Sequence, residues 1–216
     1  TREIAKRTDK LIAIERDPIL CDRLRQNLHS PNTTIIEADF LKFDLQSLPQ
    51  RLKVIGNLPY YISTPILVRL LEHHENFTEG FFTLQLEFGK RLAAPVSTKD
   101  YSAFSCFVQF YAEPKVLFKI KKTCFRPVPK IDSCFMKLEF LPAPRYDVKD
   151  RRLFFSLIRK AFQQRRKKIL NSLCGLAPRE MIQDVLASLK ISTGKRSEDL
   201  TLKNYADIAN ALIQQG

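Results

Sequence analysis

The sequence is poor in glycine, and the placement of its six glycines matters more than their number. They stand at positions 56, 80, 89, 175, 194 and 216, no two at the spacing of a GxGxG loop. The chain as written therefore lacks the turn that lets backbone approach a nucleotide-like cofactor closely. No apolar run is long enough to span a membrane and no secretory leader pattern occurs, so the expectation is a cytoplasmic or organelle-matrix protein with no membrane partner. The five cysteines, Cys21, Cys106, Cys124, Cys134 and Cys174, are odd in number and show no CxxC spacing. That pattern speaks against a disulfide framework and a zinc site, and for ordinary thiols in a reducing compartment. Negative charge is also scarce, with 23 Asp and Glu against 36 Lys and Arg, a net charge of +13. The imbalance is uneven: residues 1–144 hold 21 basic against 16 acidic residues, and residues 145–216 hold 15 against 7. A basic excess gathered in one segment suits a polyanion such as RNA, although composition alone leaves a solvated basic face equally open.

What is present is a soluble-protein composition, 44% hydrophobic and 27% charged, over 216 residues, enough for one large domain with a small appendage. The stretch around which the chain is organised is KVIGNLPYYISTP, Lys53 to Pro65. Lys53 to Gly56 reads as a short buried strand that ends abruptly at Gly and Asn. Pro59 fixes its own φ and biases Leu58 away from helix, which stiffens the turn. Ser63, Thr64 and Pro65 then open a helix, with Pro expected at its first position. Such a turn offers the Asn57 amide oxygen and the Leu58 carbonyl as two acceptors for an exocyclic amine, and the Tyr60 ring as a stacking face. That is the outline of a site for adenine, whose amine becomes nucleophilic when its lone pair leaves the ring plane.

Elsewhere the chain alternates apolar strands with helices, an α/β pattern. Leu11 to Ile14 is a strand ending at Glu15, and Asp17-Pro18 starts a helix. TTIIE, Thr33 to Glu37, is the next strand, followed by Ala38 and Asp39. A carboxylate at such a strand end can bind ribose hydroxyls, as in dinucleotide folds; as a lone feature Glu15 is more often a solvated loop residue, and Asp39 reads also as a helix cap. Gly80 to Leu86 and Lys115 to Ile120 are further strands, with a helix over Phe104 to Tyr111 between them. In CFRPVPKIDS, Pro127 and Pro129 hold an extended loop, with Phe125 either exposed for stacking or packed in the core. Ser133 to Phe140 closes the sheet as a hairpin partner.

NLPYYIS closely resembles the signature of the ribosomal RNA adenine N6,N6-dimethyltransferases, the KsgA-type enzymes, a variant of the (Asn/Asp)-Pro-Pro-(Tyr/Phe) motif of amino-methyltransferases. AIERDP, EADF, FRPVPKIDS and QQRRKKILNSL resemble further segments of that family in the same order, and together cover nearly the whole chain. The resemblance implies a Rossmann-like class I methyltransferase domain over residues 1–142 and a small all-helical, RNA-docking domain over residues 146–216. It implies S-adenosyl-L-methionine as cofactor, held by Glu15, Asp39 and Asn57. Catalytic roles fall to Asn57, Leu58, Pro59 and Tyr60, with Phe125 and Tyr60 clamping an extruded base. The partner it implies is small-subunit ribosomal RNA in a pre-ribosomal particle, met by a monomer. The absent glycine loop departs from the family pattern; with Thr1 to Lys10 resembling the helix after that loop, the sequence is expected to be a piece lacking the first strand.

LPAPRY, Leu141 to Tyr146, reads as the boundary to the helical part. Asp150 is expected to cap one long helix from Arg151 to about Leu173, followed by helices near Pro178 to Leu189 and Glu198 to Gln214. In that long helix Arg165 falls within the apolar stripe, so it is expected to reach a carbonyl or carboxylate of the catalytic domain. Arg159, Arg166, Lys167 and Lys168 are expected to face RNA phosphates. Two other readings stand beside this one: a large-subunit rRNA adenine methylase of the antibiotic-resistance type, in which Ile is typical where Leu58 stands, and a non-catalytic RNA-binding assembly or transcription factor of the same fold.

Overall fold

The computed structural model describes residues 1–28 and 30–215, so Gly216, where the expected helical part ends, lies outside the described residues. A short helix α1 (Arg2–Ala5) leads into β1 (Leu11–Glu15), α2 (Pro18–Asn27) and β2 (Thr33–Glu37). Next come β3 (Leu52–Asn57), α3 (Ser63–Glu72), β4 (Phe77–Gln85), α4 (Leu86–Leu92), α5 (Ala103–Tyr111), β5 (Ala112–Ile120) and β6 (Ser133–Phe140). The remainder is helical: α6 (Arg151–Gln163), α7 (Ile169–Leu173), α8 (Arg179–Ser188) and α9 (Leu202–Gln215).

The α/β expectation holds, with the strands in two hydrogen-bonded groups. β1 and β2 run parallel in unbroken register from Leu11 opposite Thr33 to Glu15 opposite Glu37, so both strands end level. The larger sheet has the order β3-β4-β6-β5, with β3 and β4 parallel and β6 antiparallel to both its neighbours. Parallel neighbours need a crossover, which α3 supplies between β3 and β4. β5 and β6 are instead joined by the loop of residues 121–132.

Local chemistry sets the helix starts. The Asp17 carboxylate accepts from the Ile19 N–H at 2.8 Å, with Pro18 at the first helical position of α2. The Asp150 carboxylate accepts from the N–H groups of Arg152 and Leu153 at 2.7 and 3.1 Å and so opens α6. Pro65 differs from expectation: it is the third residue of α3, not the first. The position tolerates it because the leading N–H groups of a helix have no intrahelical partner.

Two further expectations are corrected. β3 is buried on one face only: Ile55 is 53% exposed, whereas Leu52 and Val54 turn inward. Lys53, on the same outer face as Ile55, reaches Glu79 of β4 at 2.7 Å, and Glu79 also holds Lys137 of β6 at 2.7 Å. The long helix from 151 to 173 is two helices, broken at residues 164–168. The break frees Arg165 from an apolar stripe: its Nε donates to Glu198 and its Nη2 to the Thr98 carbonyl, both at 3.0 Å. The carbonyl lies in the α/β part, as expected of Arg165, but the carboxylate is supplied by the helical part itself.

An aromatic cluster ties α6 to α5. Phe110 of α5 meets Phe154 of α6 with ring centres 4.9 Å apart, and Phe107 meets Phe155 at 5.1 Å. Phe110 and Phe154 are both fully buried. Truncating Phe154 to Ala costs about 3–5 kcal/mol at such a position.

Candidate active site

The turn after β3 is held on three sides. The Pro59 carbonyl accepts from the Ile62 N–H at 3.1 Å, and the Tyr60 carbonyl from the Ser63 hydroxyl at 2.9 Å, which locks the turn onto the start of α3. Leu58 is buried and folds over Gly56, where an added Cβ would lie 2.7 Å from Leu58 Cδ2. Glycine at position 56 leaves room for that side chain, and its backbone angles are ordinary. Asn57 is exposed, and neither its side-chain amide nor the Leu58 carbonyl makes a hydrogen bond among the described residues. Two acceptors stand ready on a stiff turn.

Asn57, Leu58, Pro59 and Tyr60 form one side of a pocket of about 330 Å³; Phe125, Arg126, Pro127 and Pro129 form the other. The structure thus brings together all five residues expected to handle the base. A dipeptide between the walls anchors both. Ser133, fully buried at the start of β6, has its hydroxyl 2.6 Å from that of Tyr60. Asp132 accepts from the Lys122 N–H at 2.9 Å and from the Lys119 ammonium at 2.7 Å, which fixes the short turn Lys122–Cys124 leading into Phe125. Those two partners, the Lys119 ammonium first, hold the Asp132 carboxyl below its usual range.

Glu15 and Asp39 form a second group. Their strands end level, and the Ala38 N–H donates to the Glu15 carbonyl at 2.8 Å. Glu15 Oε1 accepts from its own neighbours' N–H groups, Arg16 at 2.7 Å and Asp17 at 2.9 Å, which orients the carboxylate and leaves Oε2 without a partner among the described residues. Asp39 Oδ1 accepts from the Leu41 N–H at 3.0 Å, capping a turn and not the helix of the alternative reading. Its Oδ2 meets Arg16 only at 3.7 Å. A pair of oriented carboxylates with spare lone pairs fits hydroxyl and amine donors of a nucleoside. No hydrogen bond or ion pair among the described residues joins this group to the pocket.

A family model described as ribosomal RNA adenine dimethylase matches residues 1–214. The chain belongs to the ribosomal RNA adenine dimethylase family. Ribosomal RNA small subunit methyltransferase A of Alkaliphilus oremlandii is 38% identical over 100% of this chain and 78% of its own length. Among solved structures, a dimethyladenosine transferase from Plasmodium falciparum superposes with a TM-score of 0.81 at 23% identity, covering 95% of this chain and 82% of that one. The 23S rRNA methyltransferase ErmE gives 0.74 at 26% identity, covering 99% and 86%. The likeness reaches across both the strands and the helices of this adenine dimethylase.

Of the dimethylase's basic residues, Arg159, Arg166, Lys167 and Lys168 are all exposed, and none forms an ion pair among the described residues. Arg165, one position away, is committed to Glu198. A larger cavity of about 390 Å³, between residues 93–96, Gln109, Arg145 and Thr201, shares no residue with the pocket. Its polar groups are spent on structure: Gln109 donates to the Leu92 and Ala94 carbonyls, and Arg145 pairs with Glu113 at 3.1 Å. Sequence reasoning missed Asp132, Ser133 and Arg126. Asp132 and Ser133 belong to a recognised motif, but nothing in spacing says which of its polar residues faces Tyr60, 73 residues earlier.

Proposed function

We propose that the protein transfers methyl groups from S-adenosylmethionine to the exocyclic amine of adenine, twice in succession, in small-subunit ribosomal RNA. The observation that carries the reading is the pocket in which two unengaged acceptors, the Asn57 amide oxygen and the Leu58 carbonyl, stand beside Tyr60 and opposite Phe125. The small-subunit target is favoured over the large-subunit one by full-chain identity of 38% to a small-subunit methyltransferase against 26% to ErmE. This reading uses residues 1–142 as the methyltransferase unit and residues 146–216 as the unit that docks RNA.

The residues divide the work. Asn57 and Leu58 accept the two N–H bonds of the amine and favour the pyramidal geometry in which its lone pair points out of the ring plane. Tyr60 and Phe125 stack on the base, and about 1–3 kcal/mol per stacked base offsets part of the unstacking cost. Glu15 and Asp39, with Asn57, hold the cofactor by its hydroxyl and amino groups. When bound, S-adenosylmethionine supplies an electrophilic methyl group on sulfur. The amine would take the methyl group as its bond to sulfur breaks and the sulfonium leaves as a neutral thioether, and would lose one proton to solvent, so no side chain needs a shifted pKa. Arg159, Arg166, Lys167 and Lys168 meet RNA phosphates.

Calorimetric titration with S-adenosylmethionine, followed by methyl transfer into small ribosomal subunits isolated without these modifications, tests the reading. The expected product after digestion to nucleosides is N6,N6-dimethyladenosine. Cofactor binding without any methylated adenosine overturns the adenine assignment; no cofactor binding by this chain or by one extended at its N-terminus leaves an RNA-binding assembly factor.

A further inference from the structure

The pocket has a rim that the base site does not use. Tyr61, next to the pocket residue Tyr60, is 84% exposed, an unusual state for a ring that contributes nothing to the core. Across the pocket, Lys121, Lys122, Arg126 and Lys130 are exposed on the same loop that supplies Phe125, Pro127 and Pro129 to the wall. Residues 121–131 contain no acidic residue, and none of these four cations pairs with a carboxylate among the described residues. The nearest carboxylate in sequence, Asp132, is taken by Lys119 and the Lys122 backbone. Four unneutralised charges, Arg126 on the pocket wall and three lysines on the loop that supplies it, together with an exposed ring next in sequence to the opposite wall, match a single strand of nucleic acid.

We propose that this rim binds the RNA strand flanking the reacting adenine, with Tyr61 stacking on the neighbouring base and the loop cations meeting the phosphates. The inference rests on the adenine reading and extends it. A base that leaves its stack strips its neighbour of one partner face; a free ring one residue from the pocket wall replaces that face. The cations neutralise the strand where it turns to deliver the base, which adds counterion release to the binding free energy. The helical part then anchors RNA while the rim selects the local conformation, a single strand in preference to a duplex.

The probe is a short fluorescein-labelled single-stranded RNA carrying two adjacent adenines, titrated with the protein over a range of salt concentrations. Replacing Lys121, Lys122 and Lys130 together by Ala is expected to lower the slope of log Kd against log salt by about 2, at roughly 0.7 for each phosphate no longer neutralised. Tyr61→Ala is expected to weaken binding about 5- to 150-fold with the slope unchanged, and Tyr61→Phe to restore it. Bound RNA is further expected to protect the exposed Cys124 of the same loop from maleimide. All these side chains are exposed, so the variants fold. If the variants keep the wild-type slope and affinity while wild type methylates small ribosomal subunits, the rim proposal falls, the adenine reading stands, and the loop is left to a protein partner. If wild type transfers no methyl group to the subunits, either as this chain or extended at its N-terminus, the adenine reading falls and the rim with it.

Discussion

The Tyr60 hydroxyl lies 2.6 Å from the Ser133 hydroxyl, joining the turn after β3 to the first residue of β6. Because Ser133 is fully buried, Tyr60 cannot rotate without leaving a polar group unpaired in the core. Tyr60→Phe is expected to cost about 1–3 kcal/mol in urea unfolding and to raise KM for RNA more than it lowers kcat, since the stacking ring remains. Ser133→Ala is expected to show the same kinetic split with a smaller drop in stability. Equal effects on kcat and KM in both variants would count against a positioning role.

Asn57 is exposed and unengaged among the described residues, so Asn57→Ala is expected to leave the thermal midpoint unchanged. Turnover is expected to fall by about two to three powers of ten, the usual effect of removing one polar interaction with a transition state. Single-turnover methylation of small ribosomal subunits measures it. Near-wild-type turnover removes Asn57 from the mechanism.

Gly56→Ala places a methyl group 2.7 Å from Leu58 Cδ2, beneath the residue whose carbonyl is proposed to accept from the amine. Overpacking of this kind costs about 1–3 kcal/mol and displaces Leu58. The expected outcome is a lowered thermal midpoint together with lowered turnover. Wild-type turnover in the variant would detach the position of the Leu58 carbonyl from the mechanism.

Glu79 sits between Lys137 and Lys53, and hydrogen bonds from both, Lys137 first, bring its carboxyl down to about 2 from the usual 4.5. A carboxyl depressed in the folded state stabilises fully above its unfolded value and loses that contribution as pH falls through the folded value. Acid unfolding between about pH 4.5 and 2 is therefore expected to be shallower in Glu79→Gln than in wild type. Urea midpoints across that range measure it, and parallel pH profiles for the two proteins contradict it.

Arg165 and Lys167 separate structure from docking. An Arg165→Ala, Glu198→Ala double-mutant cycle is expected to give a coupling of about 0.5–1 kcal/mol, discounted because Arg165 keeps about a third of its side chain in water. Lys167→Ala is expected to leave stability alone and reduce the salt slope of RNA binding by roughly 0.7–0.9. The reverse pattern contradicts the division.

The sequence alone determined the elements and their chemistry. β2 and β6 run between the residues that alternation and turn signals mark, Asp17-Pro18 starts α2 and Asp150 caps α6 as expected, because these features depend on neighbours in the chain. The NLPY turn was legible for the same reason: its stiffness comes from Pro59 and its acceptors from Asn57 and Leu58. Only the tertiary structure decided how distant segments serve it. The loop carrying Phe125 faces the turn because β6 pairs with both β4 and β5, and that pairing delivers Ser133 to Tyr60 and Asp132 to Lys122. Where the helix expected to run from 151 to 173 breaks, Arg165 gains a carboxylate at Glu198 and a carbonyl at Thr98, partners 33 and 67 residues away. Local periodicity cannot register such partners: their free energy exists only after the chain has brought them together.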